Sequence, residues 1–177
     1  MIFKLVGLGA FFGVVSLSAA YKITPYVIDG IPSFSNITTA PFIKIGTGYY
    51  FIQTNLEKNW HGAIESCRQM EAGLVAFESL EELDLVWKHL SALKPVKAFW
   101  TAGTDLAEQG KHVWISNGQP LSSNLWRKGE PNNYKNNEHC DTIFISDGFG
   151  LNDEVCSKLF YYICKAPQPK TASFIVW

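Results

Sequence analysis

Apolar residues recur along this chain with two different periods, and the change from one to the other falls near Pro95. The run YYFIQ, residues 49–53, is aromatic and β-branched, which suits a strand. Asn59 then caps a helix in which Trp60, Ala63, Ile64, Cys67 and Met70 share one face, with Gly73 as its stop. A short apolar piece, LVAF, follows. Ser79 with Glu82 makes a capping box, and Leu83, Val86, Trp87 and Leu90 form the buried stripe of a second helix. Beyond Pro95 the helical spacing ends. AFWTAG, HVWIS, DTIFIS and FYYICK read as four short strands between stretches rich in Gly, Asn and Asp. Residues 116–139 predict no regular element, and a structureless stretch of that length inside a compact domain is usually functional.

The ends follow other rules. MIFKLVGLGAFFGVVSLSAA places one lysine before an apolar run and small residues at Ser18 and Ala20, the pattern of a secretory signal peptide over 1–20. The run is shorter than the roughly 18 to 20 apolar residues of a membrane span, so cleavage and secretion are expected rather than an anchor. Residues 21–46 form an arm with three prolines and the sequon Asn36-Ile37-Thr38, which makes Asn36 an N-glycosylation candidate. The tail 166–177 is short and aperiodic, leaving 47–165 as the domain.

Removing 1–20 takes one lysine and no acid from totals of 15 basic and 16 acidic residues. A chain so near neutrality lacks the footprint of a nucleic-acid partner or a polybasic membrane surface. The cysteines, Cys67, Cys140, Cys156 and Cys164, are even in number, and in an exported chain they read as two disulfides with three connectivities open. Their separations, with 72, 15 and 7 intervening residues, lack the close pairs common in zinc sites. No nucleophile elbow or H-E-x-x-H motif appears, and the histidines at 61, 89, 112 and 139 share no metal-ligand spacing. Glu130 and Glu138 could be a glycosidase pair, but nothing beside them builds a deep cleft, so no enzyme is expected.

The informative stretch is EPNNYKNNEHC, residues 130–140. Calcium takes six to eight oxygen ligands and accepts carboxylates mixed with amide carbonyls. Glu130, Asn132 and Glu138 offer that mixture, and LNDEVC adds Asn152 and Asp153 just before Cys156. A Cys140–Cys156 bridge would clamp the second group beside the first. Three carboxylates and two amides bring a formal charge of minus three, suited to calcium and poorly suited to zinc.

Residues 47–165 resemble the C-type lectin domain: Trp60 to Cys67 in the first helix, FWTAG in a central strand, then VWISNGQPL, Trp126 and Gly129 ahead of EPN. The resemblance implies an α+β fold, two helices on short antiparallel sheets with a long calcium-binding loop. It implies the pairings Cys67–Cys164 and Cys140–Cys156, the latter closing a ring worth roughly 3 kcal/mol. It implies one calcium held by Glu130, Asn132, Glu138, Asn152 and Asp153, and a cis peptide at Glu130–Pro131. Leu151 stands where many members have tryptophan. An auxiliary calcium site would use Asp105 and Glu138 but meets Gln109, Asn133 and His139 where acids are expected, so it is expected empty or weak.

Carbohydrate contact is then expected from the same five residues together with Tyr134. The E-P-N order implies mannose, fucose, glucose or N-acetylglucosamine, whereas Tyr134 stands where galactose-binding members place a stacking tryptophan, so galactose competes. The implied role is a secreted, extracellular lectin binding glycans of microbial or host cells, in innate immunity or agglutination, similar to single-domain invertebrate lectins. The other reading is a calcium-independent protein-binding module on the same fold. A homo-oligomer joined through the arms would supply multivalency.

Overall fold

The computed structural model describes residues 23–29, 39–93, 98–146, 148–168 and 170–176. The expected signal peptide and Asn36 lie outside them. In chain order the elements are β1 (Ile23–Asp29), β2 (Ile43–Ile45), β3 (Gly48–Lys58), α1 (Trp60–Arg68), β4 (Gly73–Leu74) and α2 (Leu80–Ser91). Then come β5 (Ala98–Thr104), β6 (Val113–Trp114), β7 (Cys140–Phe144), β8 (Leu151–Glu154), β9 (Phe160–Lys165) and β10 (Lys170–Val176). The eight-stranded sheet runs β2-β3-β9-β5-β7-β8, with β4 added on β9 and β6 on β5. Its pairings are antiparallel except β5 with β9.

The helices form where the caps predict. Asn59 accepts from the Gly62 amide at 2.9 Å, and Trp60, Ala63, Ile64 and Cys67 are buried. The helix ends at Arg68, before the expected Gly73 stop. Glu71 turns the chain at φ 55, the Ala72 amide returns to the Cys67 carbonyl, and Gly73 already belongs to β4. Ser79 accepts from the Glu82 amide at 3.1 Å, while the Glu82 carboxylate takes the Glu78 amide, one residue before the usual capping-box donor. Leu83, Val86 and Leu90 are fully buried, and Trp87 is half-buried against Phe149.

FYYICK matches β9 and AFWTAG extends by Thr104, whereas HVWIS contracts to two residues. The polar LNDE was not expected to be a strand. It pairs with β7 from Leu151↔Ile143 to Glu154↔Cys140, and all four residues are buried. Within 116–139 the chain makes two short 3-10 turns, Ser123–Leu125 and Tyr134–Asn136, rather than none. The arms also hold more than the sequence pattern predicts. β1 pairs with β10 from Ile23↔Val176 to Asp29↔Lys170, joining segments from opposite ends of the chain.

Both implied disulfides are present. Cys67–Cys164 ties α1 to β9, and Cys140–Cys156 ties β7 to the segment after β8. Trp60 and Trp100 are buried with their indole N–H groups satisfied, at 2.8 Å to the Thr101 and Lys58 carbonyls respectively. The irregular loop is thus hung on a rigid frame, with its far end covalently fixed beside β8.

Candidate functional site

The loop reaches β8 through close backbone contact. The Arg127 amide donates to the Leu151 carbonyl at 2.9 Å, and the Glu130 amide to the Arg127 carbonyl at 3.0 Å. Gly150 makes this approach possible: a Cβ there would lie 2.4 Å from the Arg127 nitrogen, and its φ of +122 also disfavours a side chain. Glu130–Pro131 is cis, as the resemblance implies.

Beyond the proline, β8 holds the loop with a single carboxylate. Asp153 is fully buried and accepts from the Asn132 amide at 3.0 Å and the Asn133 amide at 2.7 Å. Glu138 accepts from the Tyr134 amide at 2.9 Å while its own amide donates to Asn133 Oδ1 at 3.1 Å. This ring holds Asn133, Lys135 and Asn136 at φ 42, 59 and 53, left-handed conformations that need such restraint. Burial pushes the Glu138 carboxyl up, the Tyr134 amide opposes it, and the charges of Glu154 and Asp153 add to it. Asn132 donates through Nδ2 to Glu130 Oε2 at 2.5 Å.

Of the expected ligand set, Glu130, Asn132, Asn152 and Asp153 are linked where the loop crosses β8, and Glu138 is tied to the same loop through Tyr134 and Asn133. Glu130 and Asn152 are joined through one residue the sequence pattern did not single out. Arg127 Nη2 donates to Glu130 Oε1 at 2.8 Å and to Asn152 Oδ1 at 2.6 Å. Asn152 turns its Nδ2 to the Asp153 carbonyl. Among the described residues no three His, Cys, Asp or Glu side chains are gathered closely enough to hold a metal alone. The donor set fits a hard cation only with its amides included, and only if side chains swing inward. Tyr134 is 62% exposed at the rim, its ring 5.2 Å from Lys135 Nζ.

The expected auxiliary position carries different chemistry. Asp105 Oδ1 meets His139 Nδ1 at 2.8 Å, and its Oδ2 accepts the Gly110 amide at 2.7 Å. Deeper, His112 Nδ1 lies 2.8 Å from Asp141 Oδ1, and its Nε2 lies 3.6 Å from Asp105 Oδ2. Burial works to lower the His112 pKa, but the hydrogen bond and charge of Asp141 outweigh it and raise the group above 6.5. Burial drives the Asp141 carboxyl up to about 6 against the pull of His112. The two form a buried pair joined at that contact. The sequence offered no signal for it, since the partners lie 29 residues apart.

A shallow cleft of about 420 Å³ separates the two clusters, lined by Asp105, His112, Asn132 and Asp153 among others. A larger groove of about 810 Å³ runs past Phe77, Trp114 and Lys165 and includes none of the candidate ligands.

Residues 56–166 match the family model described as the lectin C-type domain. The chain is 39% identical over 165 residues to C-type lectin 37Da of Drosophila melanogaster, covering 88% of each. It is 36% identical over 121 residues to C-type lectin domain family 4 member M of Hylobates lar, covering 67% of this chain and 28% of that protein. Among solved structures, the cow C-type carbohydrate-recognition domain of CD23, in the presence of GlcNAc2Man3 oligosaccharide, superposes with a TM-score of 0.62 at 27% identity. That match covers 74% of this chain and 96% of the CD23 domain. With its fold, its two disulfides and the family match over most of its length in agreement, this chain belongs to the C-type lectin domain family.

Proposed function

We propose that the protein is a secreted, calcium-dependent lectin that binds vicinal hydroxyls of cell-surface glycans. One calcium would be held by Glu130, Asn132, Glu138, Asn152 and Asp153. The observation that supports the reading is the hydrogen-bonded network linking Glu130, Asn132, Asn152 and Asp153 across two segments, with Glu138 held on the same loop. Bound calcium supplies coordination positions for two adjacent sugar hydroxyls. The carboxylates of Glu130 and Glu138 accept the hydroxyl protons, and the amides of Asn132 and Asn152 donate to the hydroxyl oxygens. Asp153 holds the loop in register under them.

The E-P-N order and the CD23 domain solved in the presence of GlcNAc2Man3 oligosaccharide support mannose-type glycans. Tyr134, exposed at the rim, supports a contact with the apolar face of a sugar and keeps galactose in competition. Among the described residues no helix is long and apolar enough to cross a membrane. With the apolar leader of residues 1–20, this supports export. One shallow site binds a monosaccharide weakly, and the two arms are the segments left to join several sites.

The reading is tested on immobilised mannose and galactose. Retention is expected in calcium, elution in EDTA, and rebinding when calcium is restored. Retention that survives EDTA would transfer the chain to calcium-independent recognition.

Acid should act in the same direction as EDTA. The carboxylates must be ionised to hold the cation, and Glu138 is already pushed up by burial, so protons compete as pH falls. Retention on the sugar column is expected to decline toward pH 4, and a profile unchanged at pH 4 would contradict the ligand set.

A further inference from the structure

We propose that Arg127 is a counter-cation built into the site, a competitor that calcium must displace and that sets how much calcium the protein needs. The inference rests on the calcium reading above. One guanidinium nitrogen serves two of the five candidate ligands, at 2.8 Å from Glu130 Oε1 and 2.6 Å from Asn152 Oδ1. Both acceptors are nearly buried: the Glu130 side chain and the Asn152 residue are each 7% exposed. These are therefore not screened surface contacts.

The arrangement is fixed by the backbone. Arg127 is hydrogen-bonded to Leu151, immediately before Asn152, and its carbonyl holds the Glu130 amide. Its side chain thus starts midway between the two ligand segments. Asn152 has a single side-chain oxygen, and Arg127 donates to it. Both Glu130 oxygens also accept, one from Arg127 and the other from Asn132 at 2.5 Å. A divalent ion at 2.3 to 2.6 Å from these oxygens would face a guanidinium on the same atoms, and two cations at that separation repel. Loading the site therefore requires Arg127 to withdraw. In calcium-poor solution the same guanidinium neutralises the Glu130 carboxylate and ties the loop to β8 through Asn152.

Arg127→Met keeps the stem and removes the charge. By isothermal titration it is expected to bind calcium about tenfold tighter than the wild type, equivalent to one charge-assisted hydrogen bond. In EDTA it should melt about 3 °C lower, because the Glu130 carboxylate then lacks its counter-charge, and in saturating calcium the difference should close. On the unmodified protein, the Arg127 guanidinium resonance should be protected from solvent exchange in EDTA and lose that protection on calcium titration. Unchanged or weaker calcium binding by Arg127→Met, or a guanidinium signal indifferent to calcium, overturns the competitor role. A wild type that takes up no calcium at all removes the lectin reading first, and this inference with it.

Discussion

Asp153→Ala is expected to abolish calcium-dependent glycan retention and to destabilise the domain by about 3 kcal/mol, the first through the site and the second through the loop. The buried Asp153 carboxylate receives both backbone amides that follow the cis-proline, Asn132 and Asn133. Hydrogen bonds to a charged acceptor contribute about 1.5 to 3 kcal/mol each, and removing the acceptor leaves two donors behind. Asn152→Ala supplies the contrast. Its side chain accepts from Arg127 and turns back to the Asp153 carbonyl, so it anchors no loop amide. It should lose retention as completely while costing only about 1 kcal/mol. Urea unfolding in EDTA, paired with a sugar column in calcium, separates the two. Asp153→Ala protein that still elutes only with EDTA would show that Asp153 is not needed to hold the metal.

The contrast also indicates which features are legible in a sequence. Asn59 and Ser79 act within three residues of themselves, so their caps are legible in the local sequence. The candidate ligand set is legible because the resemblance places five residues in register, Glu130 and Glu138 eight positions apart among them. LNDE was not read as a strand because its polar side chains serve the loop instead of alternating between core and solvent. Arg127 was overlooked for a related reason. A basic residue in a loop has no period, and its direction depends on Gly150 admitting the neighbouring backbone. The β1–β10 pairing is the extreme case, since neither end of the chain carries local information about the other.

His112→Leu should be the most destabilising change outside the apolar core, by about 3 to 5 kcal/mol near neutral pH. It would leave Asp141 fully buried with no counter-charge, and Asp141 Oδ2 already lacks a hydrogen-bond partner among the described residues. The carboxylate cannot easily move, because it lies over Gly103, where a Cβ would meet Oδ2 at 2.0 Å. The double variant His112→Leu/Asp141→Asn removes the charge as well and should recover most of the loss, giving a large coupling in a double-mutant cycle. The pH dependence follows from the directions of the two shifts. The His112 pKa is raised, so its stabilisation is fully present below 6.5 and lost as pH rises through the folded value. In the variant the pull of His112 on the buried Asp141 carboxyl is gone, so Asp141 takes up a proton more readily as pH falls, which relieves the uncompensated charge. The deficit of His112→Leu should therefore peak near neutrality and shrink toward both pH 5 and pH 9 in urea titrations. A deficit independent of pH would mean that His112 acts by packing alone, against Trp126 at 4.7 Å between ring centroids. Asp141 lies opposite Asp153 in the β7–β8 register, so a loosened ion pair should also weaken calcium binding through the strand that presents the ligands.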